Sequence, residues 1–190
     1  MALRFHGLSA LNMPMKTSTK SIALVLLIAV ACLSACRKED HEAKIKPSRL
    51  IGTLYSGQSL EAVERELHLG AGNWQVLEDR RPLPSDPRPP FRIYTISLKN
   101  FNEYGQNGDL VLSFFNDQLM TTMFYPADID SFRTVVEQKA GISFGSTGAA
   151  EIAPSTRVWV GKDDSGRSYI GWIDKKLQVV QDAWIQQYDK

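Results

Sequence analysis

The 190-residue sequence predicts an α+β fold, an antiparallel β-meander sheet with two short helices packed on one face. Three observations carry this. Between residues 91 and 125 apolar side chains alternate with period two, as in half-buried strands. Stretches near 60–67 and 129–136 instead repeat every three to four residues, the period of a helix with one buried face. Turn-forming residues separate the period-two runs closely enough for hairpins. With 43% hydrophobic and 23% charged residues, the composition is that of a folding chain, and the length suits one ordinary domain.

The first element is an address. Ile22 to Leu33 is uniformly apolar but only twelve residues long, and a bilayer-crossing helix needs about 20 at ~1.5 Å per residue. Arg4, Lys16 and Lys20 precede it and no acidic residue occurs before Glu39, the charge pattern of a secretory signal peptide. A core helix would show a polar face, and this run has none. Leu33-Ser34-Ala35-Cys36 resembles the lipobox of bacterial lipoproteins. The resemblance implies cleavage between Ala35 and Cys36, with residues 1–35 removed and the Cys36 thiol acylated. Several acyl chains anchor firmly, since each buried methylene contributes ~0.8 kcal/mol. Met15-Lys16-Thr17-Ser18-Thr19-Lys20 is the compact start such a signal usually has, so Met15 is a candidate initiator. In the same family an aspartate after the cysteine retains the protein in the inner membrane; Arg37 stands here, which implies the outer membrane, facing the periplasm.

Residues 36–50 are charged, nearly free of large apolar side chains, and read as a flexible tether. Residues 51–190 read as a single domain. Ser59 caps a helix whose face is Leu60, Val63 and Leu67, with Gly70 as its stop. A brief strand at 74–77 follows. Residues 80–90, RRPLPSDPRPP, hold five prolines and must run as an exposed, extended loop. Strands are expected at 91–98, 110–115 and 119–125, with turns at 105–108 and 116–117. Asp128 caps a second helix with face Ile129, Phe132, Val135 and Val136, ending before Gly141. Strands at 158–161 and 168–173 flank a turn at 162–166, Leu177 to Val180 reads as a further strand, and Trp184, Ile185 and Tyr188 cap the core. The order helix, strands, helix, strands suggests a degenerate duplication with halves 51–125 and 126–190, although no residue-level repeat carries it.

Cysteine and histidine usage narrows the chemistry. With Cys32 in the signal and Cys36 acylated, the domain would hold no thiol, which excludes disulfides, cysteine nucleophiles and Cys-rich metal sites. His68 alone remains there for a triad or a zinc site, at a helix end where histidine commonly meets the dipole or solvent. Removing residues 1–35 takes three of the 22 basic residues and leaves 19 against 21 acidic ones, so the net charge is about −2 and nucleic acid is not implied as partner. Asp163, Asp164 and Ser165 could hold calcium but lack the alternating-ligand loop, and read as turn formers. No cofactor or metal is expected.

Two function classes follow. One is a membrane-tethered, non-enzymatic protein-interaction module, an accessory of an envelope assembly or secretion machine, with a periplasmic inhibitor or toxin-immunity protein as the alternative within that class. The other is a hydrolase using carboxylate pairs, Glu103 with Asp109 or Asp163 with Asp164, which would require burial to separate their pKa values. Within the first class the partner is an unidentified envelope protein. The expected contact residues are Arg80, Arg81, Arg88 and Phe91, because a proline-stiffened loop loses little entropy on binding and its guanidinium groups suit an acidic partner.

The stretch from Gly57 to Tyr125, with its Gly-x-Ser-x-x-x-Val-x-x-x-Leu helix, the turn at Gly70 and the run from Leu112 to Leu119, resembles the SmpA/OmlA outer-membrane lipoproteins and the wider β-lactamase-inhibitor-protein-like fold. That resemblance implies helices covering one face of an antiparallel sheet and a domain that binds proteins. The proline loop and the residues after Pro126 depart from the pattern.

Overall fold

The alternating runs do form strands, and they join into a single antiparallel sheet. The computed structural model describes residues 47–188 except 71 and 154; the expected signal at 1–35, with the expected cleavage and lipidation residues Ala35 and Cys36, lies outside the described residues. In chain order these residues form helix α1 (Leu60–Glu66), strands β1 (Gln75–Arg80), β2 (Ile93–Glu103), β3 (Gln106–Phe115) and β4 (Gln118–Pro126), helix α2 (Ile129–Ala140), strands β5 (Ala149–Ala153), β6 (Thr156–Lys162) and β7 (Ser168–Asp174), and helix α3 (Lys175–Tyr188). The sheet order is β1-β2-β3-β4-β7-β6-β5. Two meanders therefore meet where β4 pairs with β7.

Because strand side chains alternate, the register decides which residues share a face. Ile96 lies opposite Leu112, Leu112 opposite Thr122, Thr122 opposite Trp172, and Trp172 opposite Val158. This row is buried throughout. Val63 of α1 and Phe132 and Val136 of α2 belong to the same core. Phe132 packs on Phe124, with ring centroids 4.8 Å apart. Phe144, in the loop after α2, plugs the same core, and its backbone N–H donates to Glu137 Oε1 at 3.0 Å.

The helix ends follow local chemistry. Ser59 accepts from the Ala62 amide, and Asp128 accepts from those of Asp130 and Ser131. Gly141 closes α2 with φ of 64°. α1 ends earlier than Gly70: the Leu69 amide reaches back to the Glu64 carbonyl and that of His68 to Arg65, with His68 at φ 53°. This is a Schellman closure with His68 in the left-handed position. The first hairpin turn is the pair Tyr104-Gly105, both with positive φ, so Gln106 to Gly108 already belong to β3.

Three expectations change. The expected strand at Leu177 to Val180 is part of α3, whose first amides are accepted by the buried Asp174 carboxylate. There are thus three described helices, not two. α3 meets the sheet beside Ile93 and Phe115, register partners that alternate away from the core. Finally, the folded body starts before residue 51. Ser48 and Leu50 are buried, Arg49 bridges to Tyr55, the Ser48 and Ser155 hydroxyls hydrogen-bond, and Thr156 Oγ1 donates to the Arg49 carbonyl at 3.3 Å.

Candidate partner-binding site

Where β1 ends, the proline loop folds back toward the last turns of α3 and encloses a cavity of about 250 Å³. Its apolar wall is Leu83, Phe91, Ile93, Phe115, Trp184 and Ile185. Arg80, Arg81, Asp86 and Arg88 supply its polar rim. The four residues singled out in the sequence, Arg80, Arg81, Arg88 and Phe91, are all brought together here. The aromatic wall joins distant segments: the Phe91 ring packs tilted against Trp184 with centroids 4.1 Å apart, and one helical turn on Tyr188 packs against Trp184 at 5.5 Å.

The arginines are not equivalent. Arg88 grips Asp86 through Nε and Nη2 at 2.6–3.0 Å, donates to the Tyr188 carbonyl at 3.3 Å, and lies over the Trp184 ring at 5.7 Å. It fastens the loop to α3. Arg81 makes a two-point contact with Asp79 at 2.7–3.0 Å, and Arg92 shares that carboxylate. Hydrogen bonds from Arg81 and then Arg92 hold Asp79 far below the usual carboxylate range, and Arg88 likewise lowers Asp86. Arg80 has a single 3.5 Å contact with Glu78 and lies 6.0 Å from the Phe91 centroid. The loop is therefore less open than its composition implies, because all three arginines expected to face a partner already meet acids of their own chain, Arg81 and Arg88 at two points and Arg80 at one. Asp86, Trp184 and the sheet residues Ile93 and Phe115 were not anticipated as site residues. The spacing of Leu177, Gln181, Trp184 and Tyr188 was the available signal.

The carboxylate pairs do not assemble. Glu103 lies on the side of β2 that carries Phe101, which packs on the core residue Phe124, whereas Asp109 alternates to the other face. Burial pushes Asp109 up, but hydrogen bonds from Lys99 and Arg167 at 2.7 and 2.9 Å outweigh it and leave the carboxyl below its ordinary value. Asp163 accepts from the Ser165 hydroxyl and amide and from the Arg167 amide, the geometry of a turn former, and the Ser165 hydroxyl leads in lowering its pKa.

Glu103 is the exception, buried beneath Gly52 with its pKa raised by desolvation and only partly offset by Arg49. Between its unfolded and its raised folded pKa the native state binds more protons, so stability falls as pH rises through that window. Glu103→Gln should therefore gain on wild type in thermal melts at pH 8 relative to pH 4. An equal difference at both pH values would contradict this.

No known protein family, curated protein or solved structure matches this chain.

Proposed function

We propose that the chain is a lipid-anchored envelope protein, held at the outer membrane facing the periplasm, that acts as a non-enzymatic protein-interaction module in an assembly or secretion apparatus. The observation that carries this reading is the apolar run, too short to span a bilayer, ending in Leu33-Ser34-Ala35-Cys36. The folded body supports the non-catalytic part: of the candidate acids, Asp109 is engaged by Lys99 and Arg167, Asp163 by turn amides, and none of the four lines the cavity. A helical cover of α1 and α2 on one face, as in the SmpA/OmlA-like domains, fits the same reading, with α3 as an addition.

Cys36→Ala should abolish incorporation of a palmitate analogue and block processing, seen as a slower-migrating band. The melting temperature of the body should stay unchanged, because Cys36 precedes Ser48, where the described packing begins. Undiminished labelling of the variant would remove the anchor from the proposal.

A further inference from the structure

The cavity adjoins one of the two edges of the sheet, that of β1. β1 is a terminal strand, pairs among the described residues only with β2, and all six of its residues are exposed, including Val76 at 49% and Leu77 at 52%. A bulge falls between Val76 and Glu78, after which Glu78, Asp79 and Arg80 run in regular register with Thr95, Tyr94 and Ile93. Arg80 is at once the last residue of this edge and a wall of the cavity. An uncovered edge offers backbone donors and acceptors to an extended chain.

We infer that β1 and the cavity form one groove for an extended segment of a partner protein, which pairs with β1 and places a large apolar side chain in the cavity and a carboxylate on Arg80. The inference rests on the interaction-module reading and specifies its partner. Residues opposite one another across a strand pair share a face. A partner residue opposite Arg80 therefore falls on the face of Arg80 and Ile93, and the next residue on that face is two positions along. The recognised pattern is an acidic and a large apolar residue with one residue between them. The volume fits this: about 250 Å³ is below the roughly 300–1,000 Å³ of ordinary small-molecule sites, and suits a single anchoring side chain. Charge fits it too. Arg81 and Arg88 are held at two points by their own acids, whereas Arg80 meets Glu78 through one 3.5 Å contact and can exchange it for a partner carboxylate.

The test is selection of a random heptapeptide display library on the full immobilised chain in detergent, followed by titration of enriched peptides made synthetically. Enriched sequences should pair an acidic with a large apolar residue at a spacing of two. Arg80→Gln should abolish the acidic preference and weaken the best peptide about tenfold without moving the thermal melt. Methylating alternate backbone nitrogens of the peptide should abolish binding, with the protein left untouched. The inference is overturned by an unenriched library, by enrichment without the spaced pair, or by tolerance of N-methylation. It is also overturned by a β1-mediated dimer that the peptide does not dissociate. Any of these, alongside persistent palmitate labelling at Cys36 and capture of an envelope partner by crosslinking, removes the groove and leaves the interaction-module proposal standing.

Discussion

Phe132→Ala should lower the unfolding free energy by about 3–5 kcal/mol, the range for truncating a fully buried aromatic side chain. Phe132 has no exposed surface and packs on Phe124 at 4.8 Å and Tyr104 at 6.1 Å, so it ties α2 to β4 and to the β2–β3 turn. The void cannot readily collapse, because Phe124 is fixed in a strand paired on both sides, with β3 and with β7. Urea denaturation should show a lower midpoint with an unchanged slope. A loss under about 1 kcal/mol would mean that α2 is not seated as described.

Gly108→Ala is expected to cost about 2–3 kcal/mol, for a different reason. A Cβ at Gly108 would stand 2.3 Å from the Tyr125 carbonyl oxygen and 2.8 Å from Phe124 Cζ. The carbonyl belongs to β4, directly across the ladder, and cannot yield without breaking the pairing. Gly171→Ala provides the comparison. Its Cβ would meet the Trp159 ring at 2.4 Å, but that is a half-buried side chain held by one 3.4 Å hydrogen bond to Tyr169 rather than backbone of the ladder, so the cost should be smaller. If both variants melt alike, backbone crowding at Gly108 is not the cause.

The elements legible in the sequence were those whose cues are local. Ser59 and Asp128 announced their helices, Asn116-Asp117 its hairpin, and Phe132 and Val136 their buried face, because caps, turns and periodicity act within a few residues. β5 escaped because Ala149–Ala153 is a poor strand former that takes its conformation from pairing with β6. α3 escaped because Leu177, Val179 and Val180 resemble a strand when read alone; Asp174 as cap and a half-buried face along Leu177, Gln181, Trp184 and Tyr188 override that propensity. The same limit governed the site. The arginine loop was visible from composition, whereas its aromatic wall joins Phe91 to Trp184, and no periodicity relates residues so far apart.

The fastening of Ser48 to Ser155 bears on the order in which the chain can fold. These hydroxyls are 107 positions apart, and the buried Leu50, Ile51 and Leu54 depend on the same closure. The β2–β3–β4 hairpins need only nearby residues and can form early, while β4 must wait for β7 and the amino-terminal segment for β6. Contacts of such separation slow folding, because loop-closure entropy is lost before they form. The segment from Ser48 to Leu54 should thus be the last to lock and the first to open, a latch that hydrogen exchange at Leu50 and Leu54 would detect ahead of the central strands.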